Sequence, residues 1–319
     1  MIGFLIRRTF QAIIVILGVI LILFILSKQN PRAEIIAALG PRANPAEIHH
    51  FQLVNGLLLP IWDQLWRYVD GLVVHLNLGY SYHYNQDVRA IIAERLPKTL
   101  TLVGASTVIA LVIAVPLGVV QTVWRHKPID YALTTITFVG YAMPAFLLGT
   151  LLIQYFAFNI KLFPVSPPQS ATAWTIFTDP RAFVLPLVTL SAITIASFSR
   201  YMRRSMLDAM AEDYVRTARA KGASNKRVLY GHALRNALIP ILVLVGLSLP
   251  AIVGGALITE TVFNYPGMGL LTVQAAFNTD IPVVLGTTLV ITVAVVVGSL
   301  VADILCALAD PRIRLGSSG

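Results

Sequence analysis

DYVRTARAKGASNKRVLYGHALRNALIP, residues 213–240, is a polar, basic, helix-forming segment set between two long apolar stretches, Ala182–Ser199 and Asn236–Thr259. Glu212 and Asp213 stand at the head of a predicted short helix. Arg219 and Lys221 close it, and Gly222 follows. Acids at the start and bases at the end match the helix macrodipole, and glycine fits the left-handed stop position. Ala218 and Ala220 keep part of the surface small, so a partner can come close. A solvated topogenic loop accounts for the Arg and Lys but not for the Ala–Gly arrangement. A short helix of this kind, held by apolar spans at both ends, is placed to receive a push from a soluble protein.

Outward from this segment the chain is a membrane protein by composition. Of its 319 residues 56% are hydrophobic and only 12% charged, about half the charged fraction of a soluble domain. Roughly 20 apolar residues cross a bilayer core of about 30 Å. The stretches Thr9–Ser27, Thr99–Trp124, Tyr131–Ile160, Ala182–Ser199, Asn236–Thr259 and Ile281–Ala302 meet that requirement, and none contains Asp, Glu, Lys or Arg. In lipid each backbone polar group must be satisfied within its own segment, so all six are predicted helices. Apolar runs without a period of two argue against a transmembrane β-barrel.

Basic residues set the orientation. With the N-terminus inside, the cytoplasmic segments hold Arg7, Arg8, Arg125 and Lys127, then nine more Arg and Lys between Arg200 and Arg235, and Arg312 and Arg314 in the tail. The short opposite loops carry only Lys161 and Arg181. The first external segment, 28–98, is too long for the positive-inside rule to apply. The net charge of +9 is thus a topology signal, and no domain-sized basic face outside the spans points to nucleic acid. Arg7-Arg8-Thr9-Phe10 resembles a twin-arginine signal, but the apolar run behind it is longer than a signal h-region and lacks a small-x-small cleavage site. An uncleaved first span is therefore expected. Gly316-Ser317-Ser318-Gly319 reads as an added or frayed tail, and the lone Cys306 supports neither an intramolecular disulfide nor a cysteine-based zinc site.

Catalytic chemistry is sparse. His49, His50, His75, His83, His126 and His232 show no metal-ligand spacing, and there is no phosphate-binding Gly-rich loop or nucleophile elbow. The spans lack the intramembrane acids and bases usual in ion-coupled carriers; Asp303 sits only at the edge of the last one. They do carry Pro116, Gly118, Gly140, Pro144, Pro186, Gly246, Pro250, Gly254, Gly255 and Gly286, which permit kinks and close helix approach. Such residues fit helices that move around a pathway, and equally a static kinked bundle. Within 28–98, Pro45-Ala46-Glu47-Ile48 opens a helix, and Leu57 to Leu76 mixes Trp62, Trp66 and Tyr68 with Asp63, Arg67 and Asp70. That mixture reads as a helix lying on the outer membrane surface, or as a lip that receives something from outside.

Residues 213–240 resemble the "EAA" coupling loop of ATP-binding-cassette (ABC) importer permeases, closest to the B-type subunits of the dipeptide, oligopeptide and nickel branch. Other pieces agree in order along nearly the whole chain: Leu39-Gly40-Pro41; Leu78-Gly79-Tyr80-Ser81, with Asn77 where Asp is common; Arg95-Leu96-Pro97-Lys98-Thr99-Leu100-Thr101-Leu102; Met143-Pro144-Ala145-Phe146; Glu260 through Leu271 (ETVFNYPGMGLL); and Asp310-Pro311-Arg312-Ile313-Arg314. Two departures stand out. Arg216-Thr217 replaces the general loop's Glu-Ala, and Arg235 stands where the general loop has Pro; both are usual in the peptide branch.

The resemblance implies an all-α membrane protein of type I ABC importer permease fold, with six transmembrane helices and cytoplasmic termini. Residues 1–98 would form the first helix plus the external subdomain 28–98. Residues 99–315 would form a five-helix core with the coupling loop at 200–235, and 316–319 would be the tail. It implies that Ala218 and Gly222 dock into a groove of an ATP-binding subunit, flanked by Tyr214, Arg216, Arg219 and Lys221. The implied partners are a second homologous permease, two ATP-binding subunits, an extracytoplasmic substrate-binding protein facing 28–98, and the lipid of a bacterial inner membrane, without nucleic acid. The chain would be no enzyme and would bind no cofactor, ATP and Mg belonging to partner subunits. Its cargo would be di- or oligopeptides, with glutathione, nickel complexes and haem also open. A stand-alone channel or ion-coupled carrier is the competing expectation.

Overall fold

The structure is a computed structural model that describes residues 2–29, 35–36, 38–40 and 42–309. Pro41, the 310–314 motif and the 316–319 tail lie outside the described residues. The fold is almost wholly helical. In chain order it comprises α1 (Ile2–Gln29), α2 (Pro45–Val54), α3 (Ile61–Val73), a two-residue hairpin pairing β1 (Tyr80–Ser81) with β2 (Gln86–Asp87), α4 (Val88–Val123), α5 (Pro128–Ala142), α6 (Ala145–Leu152), α7 (Val184–Ala211), α8 (Asp213–Ala220), α9 (Leu234–Val262), α10 (Met268–Phe277) and α11 (Ile281–Ala309).

Among the described residues, five helical stretches are long and apolar enough to cross a membrane: Ile6–Lys28, Val88–Val123, Pro180–Ala211, Arg227–Gly246 and Ile281–Val301. They account for five of the six expected stretches. The sixth, Tyr131–Ile160, is not one straight helix. It is α5 followed by α6 and a π-helical turn, Ile153–Asn159, the two halves bent by 103°. The cause lies at Met143-Pro144. Proline has no N–H to continue the ladder, and its ring drives the preceding residue out of the helical region. Met143 is extended at φ −76°, ψ 125°.

Two further boundaries differ from the hydropathy reading. α4 begins at Val88, ahead of the apolar run at Thr99, and its 36 residues extend about 54 Å, well beyond a bilayer core. Its first turns carry charges, with Lys98 Nζ 2.9 Å from Glu94 Oε1. Likewise α7 continues through Arg200, Arg203 and Arg204 to Ala211. Hydropathy marks where lipid ends, not where the helix ends, so the basic loop expected over 200–235 reduces to about 212–224.

The chain forms two compact units. One comprises residues 1–99 with 266–297. In it Val88, Ile91 and Ile92 of α4 pack on Met268, Leu271 and Ala275 of α10 and Val283 of α11. Gly286 lets α11 approach, since a Cβ there would lie 2.6 Å from Val88 Cγ1. The Thr99 hydroxyl oxygen accepts the Met268 N–H at 2.8 Å, capping α10 where Gly267 has no side chain to do so. α2 opens with a full capping box, Asn44 and Glu47 exchanging side-chain and backbone bonds. Ile20 and Leu23 of α1 meet Leu72 of α3 and Leu289 of α11.

The other unit comprises residues 100–265 with 298–319. α7 is its central helix, packed by α5, α6 and α9. Val119, Met202, Met206, Ala209, Ala233, Ala237 and Ile241 form one buried cluster. A second gathers Leu102, Phe183, Leu190 and Tyr265, with the Phe183 and Tyr265 rings edge to face at 6.0 Å.

Candidate functional site

The segment between α7 and α9 folds as the charge pattern predicts. Glu212 leaves the helical region at φ −70°, ψ 151° and its carbonyl accepts the Val215 N–H. Asp213 lies in the first turn and Arg219 in the last. At the far end Gly222 has φ +79°. Its N–H bonds the Arg219 carbonyl at 2.9 Å, and the Ala223 N–H reaches back to the Ala218 carbonyl at 3.1 Å. That pair of bonds is the Schellman stop, which satisfies two of the carbonyls a helix end leaves free. Ser224 then caps the next helix, accepting the Arg227 N–H at its hydroxyl and the Val228 N–H at its carbonyl.

α8 is anchored on one side and open on the other. Val215 is fully buried, and α8 packs against α7 and the π-helical turn Arg227–Ala233. Tyr214 and Ala218 lie half-buried beside it, on the same face by helical spacing. The Tyr214 hydroxyl is buried and has no hydrogen-bond partner among the described residues. Arg216, Arg219, Lys221 and Gly222 are exposed. The ion pair from Arg216 to Asp213, 3.4 Å between two exposed side chains, contributes little. Of the six residues singled out, four therefore face outward together, and Tyr214 and Ala218 turn partly toward the protein. The arrangement presents a short basic helix on a packed footing.

The footing contains a pair that sequence reading missed. Asp130 of α5 accepts from Arg203 of α7 at 2.8 Å, from the His126 N–H at 3.1 Å and from the Thr134 hydroxyl at 3.3 Å. The Asp130 side chain is 3% exposed. Thr122 of α4 donates to the Arg203 carbonyl at 3.3 Å, and the Arg200 guanidinium lies 3.9 Å over the Tyr141 ring. Three helices are thereby tied near the end of α7 that carries α8. In the sequence Arg203 reads only as a topogenic charge. The available signal was Asp130 itself, an acid just inside a helix that starts at Pro128.

In the other unit, Leu78-Gly79-Tyr80-Ser81 forms a tight corner. Gly79 has φ +93°, its N–H bonds the Asn77 side chain, and the buried Ser81 hydroxyl donates to Asp280. Tyr80, Tyr82 and Phe51 form an aromatic cluster, with centroid separations of 5.3 and 6.4 Å.

Residues 114–315 match the family described as binding-protein-dependent transport system inner membrane component. Residues 1–103 match the N-terminal family of the same transport system membrane components. The chain is 38% identical over 316 residues to the oligopeptide transport system permease protein AppB of Bacillus subtilis, covering 98% of this chain and 100% of that protein. It is 34% identical to the glutathione transport system permease protein GsiC of Escherichia coli K12, over 98% and 99% of the two chains. The dipeptide transport system permease protein DppB of Lactococcus lactis is 34% identical over 86% of this chain and 88% of that protein. Among solved structures, the MetNI methionine ABC transporter in inward-facing conformations aligns with a TM-score of 0.55 at 18% identity, covering 70% of this chain and 97% of that one. At that identity the likeness concerns the fold alone.

Proposed function

Because this chain belongs to the family of binding-protein-dependent transport system inner membrane components, we propose that α8 is the surface through which ATP-binding subunits drive it. The chain is a permease subunit of an ABC importer, a multi-pass protein of the bacterial inner membrane, and its family works with an ATPase and a substrate-binding protein. Six spans cross the membrane, the bent pair α5–α6 serving as one, with both termini in the cytoplasm. A second homologous permease supplies the other half of the path, and two ATP-binding subunits carry ATP and Mg. This chain binds no cofactor and catalyses nothing. The external segment 28–98 receives the binding protein, and the cargo is a di- or oligopeptide, the cargo class in the names of relatives such as AppB and DppB.

The observation that carries this reading is the construction of α8: exposed Arg216, Arg219, Lys221 and Gly222 on a helix seated through Val215. Its hold on α7 gives a displacement of α8 a mechanical route into the bundle. The test is to isolate the chain from its native membrane in mild detergent, identify the proteins that accompany it, and assay peptide uptake by the reconstituted complex. Two ATP-binding subunits, a second permease and peptide uptake support the reading. A complex that hydrolyses ATP but takes up no peptide would overturn the cargo assignment, and a homo-oligomer would overturn the partner assignment.

A further inference from the structure

At the Lys28 end of α1 the chain encloses a cavity of about 330 Å³, entirely within the unit 1–99 with 266–297. Lys28 from α1 and Arg67 from α3 line it, and no Asp or Glu does so among the described residues. Arg67 makes no ion pair among the described residues. Its guanidinium lies across Gly56, whose absent Cβ would sit 2.9 Å from Arg67 Nη1. Lys28 Nζ is 5.5 Å from the centre of the Phe24 ring. The wall also carries apolar groups: Phe24, with the Tyr68 ring 5.7 Å from it, and Leu285. Burial pushes the Tyr68 hydroxyl up to about 12, so it stays a protonated donor at physiological pH. The cavity thus combines cationic and amide groups with apolar ones.

Its location specifies the occupant. Lys28 is the last residue of the membrane span Ile6–Lys28, so the cavity opens at the level where lipid headgroups begin. Trp62 and Trp66, one helical turn apart on α3, are 75% and 72% exposed, the placement that suits indole rings at a membrane–water interface. A soluble anion needs no apolar wall. A lipid phosphate beside its glycerol and first methylenes needs both kinds of group.

We propose that the cavity binds the headgroup of an anionic phospholipid, its phosphate held by Arg67 and Lys28 and its glycerol end resting on Phe24 and Leu285. Arg67 supplies the planar donor fork that suits phosphate oxygens. The bound lipid fastens α3 to the end of α1, independently of which side of the membrane that end faces and of how α8 is used.

The test uses the intact complex in nanodiscs of phosphatidylethanolamine containing phosphatidylglycerol, with retained lipid measured by native mass spectrometry. Arg67→Gln should lower retained phosphatidylglycerol by about tenfold or more, Arg67→Lys by less. Gly71 lines the cavity, and a Cβ there meets nothing within 4 Å. Gly71→Leu should therefore fill the cavity and displace the lipid with every charge still in place, which decides the matter if Arg67→Gln fails to assemble. Equal retention in all variants would overturn the proposal. So would displacement of phosphatidylglycerol by millimolar inorganic phosphate, which would make this a site for soluble oxyanions.

Discussion

Replacing Gly222 with valine tests the role of α8 through its backbone alone. Gly222 sits at φ +79°, and a Cβ added there meets nothing within 4 Å, so the substitution meets no steric clash. What it meets is the left-handed conformation, which costs a residue with a Cβ roughly 1–2 kcal/mol, with β-branched side chains worst placed. Leaving that conformation breaks the two closing bonds from Gly222 and Ala223, about 1 kcal/mol each. Staying strained and losing the two bonds are alternatives, so the penalty is the smaller of the two, about 1–2 kcal/mol. α8 has eight residues, too few to be stable alone, and its buried anchor is Val215, worth about 1.5–3 kcal/mol. Strain and anchor are of one size, so the end of α8 gives way while the long helices stay intact. In proteoliposomes holding the complete importer, Gly222→Val should insert and assemble normally and hydrolyse ATP, while uptake per ATP falls by about tenfold or more. Gly222→Asn should stay close to the parent, because asparagine tolerates the left-handed region. Normal uptake by the valine variant would refute the reasoning, as would equal loss in the asparagine variant.

Arg203→Ala leaves Asp130 buried with only His126 and Thr134 as donors, which should cost about 3 kcal/mol or more, read as a lower Tm in detergent. Asp130→Asn in the same chain should recover much of the loss. Gly118→Leu should fail to accumulate as folded protein, since its Cβ would lie 2.6 Å from Met202 Cβ and 2.9 Å from the Arg203 backbone nitrogen, and even alanine there should cost about 1–3 kcal/mol. Thr99→Val removes the acceptor of the Met268 N–H while keeping the shape, and should cost about 1–3 kcal/mol in thermal unfolding. Thr99→Ser should restore most of it.

The sequence was most legible where a local rule acts alone. Glu212 to Gly222 follows from capping, dipole and glycine chemistry, each confined to neighbouring residues, and α8 occupies Asp213–Ala220 inside that stretch. The helix start read at Pro45-Ala46-Glu47-Ile48 is of the same kind, and the structure adds Asn44 as its cap. Hydropathy located five spans but misjudged ends: α4 starts before Thr99 and α7 outlasts Ser199, because polar helix turns continue outside lipid. At Met143-Pro144 the breaking residue was visible, but the size of the bend depends on tertiary packing around α6. Asp130 and Arg203 were invisible as a pair, lying on helices far apart in sequence, and the Arg67–Lys28 cavity depends on α1, α3 and α11 meeting. Tyr214 and Ala218 show the same limit within α8: the sequence groups them with the exposed residues, and packing leaves both half-buried beside Val215.

The most direct test of the central claim is site-specific photo-crosslinking from the exposed position Lys221 in the native membrane. If α8 is where ATP-binding subunits engage this permease, the crosslinked product contains an ATP-binding subunit, and the yield changes when ATP is bound. A product confined to lipid or to a second copy of this chain, in membranes from which the ATP-binding subunits still co-purify, would place the coupling surface elsewhere.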